Sequence, residues 1–303
     1  MKTLLMRLRL NGPLVVGSLL MLALVVVLIL PSFADLPDPN ATRMIAQVDG
    51  RTMGPPFRPG QVGYVWGSDG AGRDVFARVI YGARPSVGLA LGVAAVRALL
   101  CIPLGLLAGW RRGWLGRTVH GLSTGFASLP TLVLVIYVVR TLGIFVTSGP
   151  WWLLLAVVLV VAGVPRLAEQ VRRLTEEAAV RPHIEAAVAA GASGWRIIWK
   201  HIFPLLKGDL LVAMTAEMGW VLLMLGQITV FGMIFGGAIA VPREGALPLY
   251  VERLPEWGQA MGINVGLLRT HPWVPYAPAA ALGLTVVGFQ LLAEGIRQRW
   301  IRR

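Results

Sequence analysis

The sequence predicts an all-α, polytopic membrane protein with about six membrane-spanning helices. Hydrophobic residues make up 56% of the 303 positions and charged residues 14%. The mean hydropathy of +0.68 lies outside the range of ordinary soluble domains. The apolar residues are gathered into runs near the roughly 20 residues that cross a bilayer as a helix. Basic residues collect at the ends of these runs, so the net charge of +13 reads as a positive-inside pattern and not as a nucleic-acid partner.

The runs fall near 13–33, 85–109, 119–140, 151–168, 209–240 and 273–293. The first follows Lys2, Arg7 and Arg9 and ends in "SFAD", which has the form of a signal peptide cleaved after Ala34. The stretch from Pro13 to Pro31 exceeds a usual signal core, so the sequence predicts a retained anchor. The expected organisation is an amino-terminal cytosolic tail and anchor over 1–34, an external loop over 35–84, and a five-helix core over 85–303. A cytosolic loop at about 169–207 interrupts that core.

Orientation follows from Lys and Arg counted on alternate sides. With the amino terminus inside, seventeen lie on the cytosolic side and nine on the other, and Arg97 and Arg140 fall within or at the ends of runs. Both termini are therefore expected in the cytosol.

Between the fourth and fifth runs stands "RPHIEAAVAAGASGWRIIWKHIFP", residues 181–204. Pro182 suits the first turn of a helix, Gly191 the left-handed residue that ends one, and Ser193 the cap of the next. Two helices of roughly ten residues are expected, turning at Gly191. The first is nearly all Ala, which lets a partner backbone approach closely; the second carries Trp195, Ile197, Ile198 and Trp199 between Arg196 and Lys200. The segment reads either as an amphipathic element lying on lipid or as a docking element for a cytosolic protein.

"EAAVAAGASGWRIIWKHIFP" resembles the EAA loop of bacterial ABC-importer permeases, in which E-A-A is followed after three residues by G and then by a stretch ending I-L-P. Glu185, Ala186, Ala187, Gly191, Ile202 and Pro204 match it, with Phe203 where Leu is usual. "GSDGAGRDVFARVIYGARPSVGLALG" (67–92), "PEWGQAMG" (255–262) and "PWVPYAPAAALGLTVVGFQLLAEGIRQ" resemble the dipeptide, oligopeptide and nickel permeases, in the right order over roughly 64–300. The resemblance implies a type I permease core and a cytosolic coupling helix. It also implies a second permease subunit, with a heterodimer expected, two cytosolic ATPases and an extracytoplasmic substrate-binding protein. The site would be the bacterial inner membrane and the cargo peptides or a related small solute. Glu185 would be a polar contact at the docking site, Gly191 the turn that aims the second helix, and the alanines the close-packed surface. A permease-fold scaffold or signalling subunit without transport is the alternative, and the intact EAA pattern argues against it.

The chain is not expected to be an enzyme, and no catalytic or metal site is expected in it. No G-x-x-x-x-G-K-[ST] phosphate loop occurs, so ATP and Mg belong to partner ATPases and no cofactor to this chain. "GLSTG" (121–125) satisfies G-x-S-x-G but lies in a helical apolar run with no strand before it. "HIE" (183–185) resembles a zinc-deaminase fragment, yet Cys101 is the sole cysteine and P-C-x-x-C is impossible. His120, His183, His201 and His271 have no ligand spacing.

Gly88 with Gly92, Gly105 with Gly109, Gly121 with Gly125, and Gly232 with Gly236 each form G-x-x-x-G, a spacing that permits close helix approach within the subunit or against a second one. Charges inside spans cost about 2.5–3.5 kcal/mol on insertion scales, so Arg97 and Glu217 require a reason. Glu217 lies in "VAMTAEMGWVLLMLGQITVFG" with Gln227 and Thr229. These three are the candidate wall of a translocation path; the other reading of Glu217 is an internal pair with Arg97 or a buried protonated carboxyl. The family usually has an acidic residue near the position of Gln227, so the substrate class is the weakest inference from the resemblance.

Overall fold

A computed structural model describes residues 11–48, 50–111, 113–143, 151–233, 238–243 and 246–301. Lys2, Arg7, Arg9 and Gly236 lie outside them. Helices dominate: α1 (Gly12–Ile29), α2 (Val75–Arg111), α3 (Trp114–Ala127), α4 (Thr131–Gly143), α5 (Trp151–Ala179), α6 (Pro182–Ala189), α7 (Gly194–Ile197), α8 (Phe203–Val230), α9 (Trp257–Ile263) and α10 (Trp273–Ile301). Two antiparallel hairpins accompany them, β1 (Ala46–Val48) with β2 (Arg51–Met53) and β3 (Ala238–Arg243) with β4 (Ala246–Glu252).

Among the described residues five helices are long and apolar enough to cross a membrane, and six if α3 and α4 count as one span. The two are bent by 87° at Ser128–Pro130. Proline lacks the amide proton that would continue the ladder and disfavours helical geometry in the residue before it, so the apolar run at 119–140 breaks in two.

Two other boundaries differ from the hydropathy reading. α2 begins ten residues before the second run, at Val75, because the Asp74 carboxylate accepts from the Phe76 amide at 2.9 Å and so caps it. α8 ends at Val230 and not near 240: Gly232 takes φ +75, and the chain enters the β3–β4 hairpin although its composition stays apolar. Period alone cannot tell a short apolar strand from a helix end.

Small residues set the closest packing. Gly17 lies against the backbone of Leu291 and Leu292, Gly288 against Leu20 and Met21, and Gly295 against Leu14, which makes α1 and α10 an antiparallel pair. The Asn11 side chain ties its start, donating to the Gly295 carbonyl at 2.7 Å. On α2, Gly105 packs on Val171 and Ala168, and Gly109 on Arg172 and Thr175, which sets α2 and α5 parallel. Of the four glycine pairs this one packs inside the subunit, whereas Gly88, Gly92, Gly121 and Gly125 have no described neighbour within 4 Å of an added Cβ. The main core joins α2, α4, α5, α8, α9 and α10 through Val93, Val139, Leu159, Leu222, Ile228 and Phe289 among others.

At the end where α2 begins, a buried charge network ties the 67–78 stretch to the β4 end. Arg73 donates through Nε to Asp69 at 2.7 Å and through Nη1 to the Glu252 carbonyl at 2.9 Å, and both Arg73 and Arg78 bond the Glu252 carboxylate. Arg78 also reaches the Pro39 carbonyl at 3.0 Å. Next to it Glu256 caps α9, accepting from Gly258 and Gln259 amides and from the Ser86 hydroxyl. Burial pushes the Glu256 carboxyl above the usual range, against the pull of those three donors.

Candidate functional site

At the opposite end, residues 181–204 form the expected helix–turn–helix with a different continuation. Pro182 occupies the first turn of α6. The helix closes on a Schellman motif: the Ala192 amide reaches the Ala187 carbonyl at 3.1 Å and the Gly191 amide the Val188 carbonyl at 2.9 Å, with Gly191 at φ +81. Ser193 stands at the amino cap of α7, but its side chain makes no capping bond. α7 has four residues, not ten. It runs through a π turn, Ile198–Ile202, straight into α8, so the second short helix is the foot of the fifth span. π turns recur where function needs a locally re-aimed helix.

α6 is exposed almost throughout. Of its residues only Ile184 is buried, while Glu185, Ala186, Val188 and Ala189 face outward and Ala187 is half-buried. Ile184 enters a cluster with Leu106 of α2, Val171 and Ala178 of α5, and Ile197, Ile198, Ile202, Leu206 and Leu210. One side chain thus connects α6 to the ends of three spans. Trp195 and Trp199 meet edge to face at 5.5 Å, Trp199 and Phe203 at 5.3 Å, and Gly194 packs against the Trp110 ring, which fixes the angle of α7. Of the expected docking residues, Glu185, Ala186 and Gly191 are exposed, Ile202 is buried and Pro204 begins α8.

The candidate path residues lie within α8 but do not share a face. Glu217 is buried and bonds Arg97 of α2 and Arg166 of α5. Thr229 is buried against Gly258 and Gly262 of α9, and its hydroxyl bonds the Gly226 carbonyl of its own helix at 2.9 Å. Gln227 is partly exposed, and its Oε1 has no described hydrogen-bond partner. The internal Arg97–Glu217 pair weighed from the sequence is present, and Arg166 joins it. At the end of the fourth run Arg166 counts with the cytosolic basic residues; in the structure it reaches back from α5 to Glu217. Trp220 completes the group, its ring centroid 4.4 Å from the Arg97 guanidinium and 5.2 Å from that of Arg166. The second arginine escapes sequence reasoning because its position at the end of an apolar run is that of an ordinary flanking cation, and its carboxylate partner lies on another helix.

The model of the binding-protein-dependent transport system inner membrane component family matches residues 101–301. The chain is 29% identical to the glutathione transport system permease protein GsiD of Pectobacterium atrosepticum, over 76% of this chain and 70% of the relative. It is 27% identical to the peptide transport system permease protein SapC of Escherichia coli O6:H1, over 80% and 74%. The dipeptide transport system permease protein DppC of Alkalihalophilus pseudofirmus is 29% identical, over 77% and 69%.

Proposed function

The chain belongs to the family of binding-protein-dependent transport system inner membrane components, and on that premise we propose that it is a permease subunit of a peptide-class ABC importer whose α6 is the coupling helix. It is a multi-pass membrane protein and not an enzyme; ATP hydrolysis lies in separate subunits. The peptide class comes from the relatives that carry peptide, dipeptide and glutathione transport in their names. In the proposed assembly two such subunits, this chain and a sister permease, form the path, two ATPases bind ATP and Mg beneath them, and an extracytoplasmic binding protein delivers solute. Both termini and residues 181–204 face the cytosol.

The observation that carries the reading is the isolation of α6. It presents Ala186, Val188 and Ala189 uncovered, small apolar side chains that let a partner surface approach closely. Ile184 is its one buried side chain, in a cluster shared by α2, α5 and α8. Closure of the ATPases on ATP would move α6, and Ile184 would pass that displacement to three spans at once. The energetics are those of two membrane conformations biased by differential binding to two ATPase arrangements.

The test is copurification of the ATPases with variants, scaled to permease amount. Glu185→Lys reverses a charge that is solvated in the free subunit and desolvated in a docked one. Gly191→Val is strained at positive φ by roughly 1 kcal/mol or more. Both should insert and pair with the sister permease yet lose ATPases and uptake. A segment lying on anionic lipid predicts that Glu185→Lys is neutral or tightens membrane association. Normal retention with normal substrate-stimulated hydrolysis in both variants would reject α6 as the coupling element.

A further inference from the structure

The intramembrane cluster holds two guanidinium groups against one carboxylate. Arg97, Arg166 and Glu217 lie near the midpoints of α2, α5 and α8, where charge is expensive. Arg97 is 0% exposed and Glu217 2%, so these two already neutralise each other out of water; Arg97 also donates to the Leu159 carbonyl. Arg166 is not needed for that balance, and its side chain is 52% exposed although it bonds Glu217. The group carries one uncompensated positive charge, and its only exposed cation is Arg166.

The exposed side of α8 shows where this charge looks. From Gly219 to Val230 the residues that are not buried are Trp220, Leu223, Gln227 and Val230, a single stripe at helical spacing. Trp220 faces Arg166, and Gln227 follows about two turns further along, partly exposed although its Oε1 is buried. A stripe facing lipid hydrocarbon would be apolar throughout. This one sets an indole beside a guanidinium that is half exposed at mid-span, which hydrocarbon would not accommodate and a wetted wall would.

We propose that Arg166, backed by Arg97, Glu217 and Trp220, is an anion site midway along the translocation path, and that it takes a carboxylate group of the passing solute. The proposal rests on the permease reading above and adds the chemistry that the path selects. Arg presents a planar fork of donors that matches a carboxylate. Glu217 positions that fork and lowers the net charge to one, so the anion is held weakly enough to leave.

The experiment uses the assembled importer with its ATPases retained and ATP hydrolysis intact. Leu223→Cys places a thiol one turn from Trp220, and native Cys101 is 0% exposed, so the parent complex gives the background. Labelling rates are measured with anionic 2-sulfonatoethyl and cationic 2-(trimethylammonio)ethyl methanethiosulfonate, each relative to a small free thiol, with and without ATP. The anionic reagent should be favoured at least about tenfold. That preference should vanish when Arg166→Gln is added and largely survive Arg166→Lys. Acetate should slow the anionic reagent at least about twofold where acetamide at equal concentration and ionic strength does not. Labelling indifferent to charge or to Arg166, equal effects of acetate and acetamide, or no labelling in any nucleotide state overturns the anion site on a working complex. Loss of the ATPases from the parent complex would count instead against the permease reading.

Discussion

Gly163 of α5 lies directly against the guanidinium of Arg97: a Cβ at residue 163 would overlap its Cζ and Nε. The glycine is therefore the gap in α5 through which Arg97 reaches the Leu159 carbonyl and Glu217. Gly163→Val should displace Arg97 and lower stability by about 1–3 kcal/mol or more, and Gly163→Ala should do less. Thermal unfolding of the detergent-solubilised protein reads this; equal midpoints for wild type and Gly163→Val would show that the arginine has room to move.

The Arg97–Glu217 pair should show strong non-additivity. Removing one partner leaves a buried charge uncompensated, a loss of roughly 3–5 kcal/mol, whereas replacing both by apolar residues of similar volume is often close to neutral. Glu217→Leu leaves two guanidinium groups facing each other and should reduce the yield of folded protein most. Arg97→Met with Glu217→Leu should recover much of it. Independent losses that simply add would mean that the two groups do not share one environment.

The Glu252 carboxylate, buried at the end of β4, holds Arg73 and Arg78 and so links the 67–78 stretch to the β3–β4 hairpin. Glu252→Ala should free the hairpin while the spans stay folded, because the network lies outside the main core. The expected result is faster limited proteolysis between residues 238 and 252, with a loss of about 3–5 kcal/mol confined to that end. Unchanged cleavage would show that the backbone bond from Arg73 Nη1 to the Glu252 carbonyl suffices.

Hydrophobic run length revealed the spans because crossing a bilayer demands it, and the turn at Gly191 was legible because a left-handed helix end has its own chemistry. The pair of Arg97 with Glu217 could be weighed because a charge in an apolar run stands out. What could not be read follows from tertiary geometry. Pro130 turns one apolar run into two helices at 87°, and the apolar stretch after Val230 becomes a hairpin with no change in composition. Arg166 stands in the last turn of the run at 151–168, so it reads with the arginines at 172 and 173 as a flanking basic residue. Only the packing of α5 beside α8 brings it to Glu217.

Ile184 separates holding the ATPases from being moved by them. It is the sole buried residue of α6, and its partners in the cluster belong to α2, α5, α7, the π turn and α8. The surface proposed to meet the ATPase, Glu185 with Ala186 and Val188, does not include it. Ile184→Ala therefore leaves that surface intact and removes the bolt beneath it, at a local loss of about 2–5 kcal/mol from the lost apolar volume and the cavity left behind. Ile184→Val deletes one methylene and should cost about 0.5–1.5 kcal/mol. The expected outcome for Ile184→Ala is an assembled complex that keeps its ATPases and hydrolyses ATP but imports several-fold less solute per ATP, with Ile184→Val close to wild type. The measurement is solute uptake and phosphate release on the same proteoliposomes. Uptake per ATP equal to wild type in Ile184→Ala would show that the displacement enters the spans through α7 and the π turn, and that α6 is held but not used as a lever.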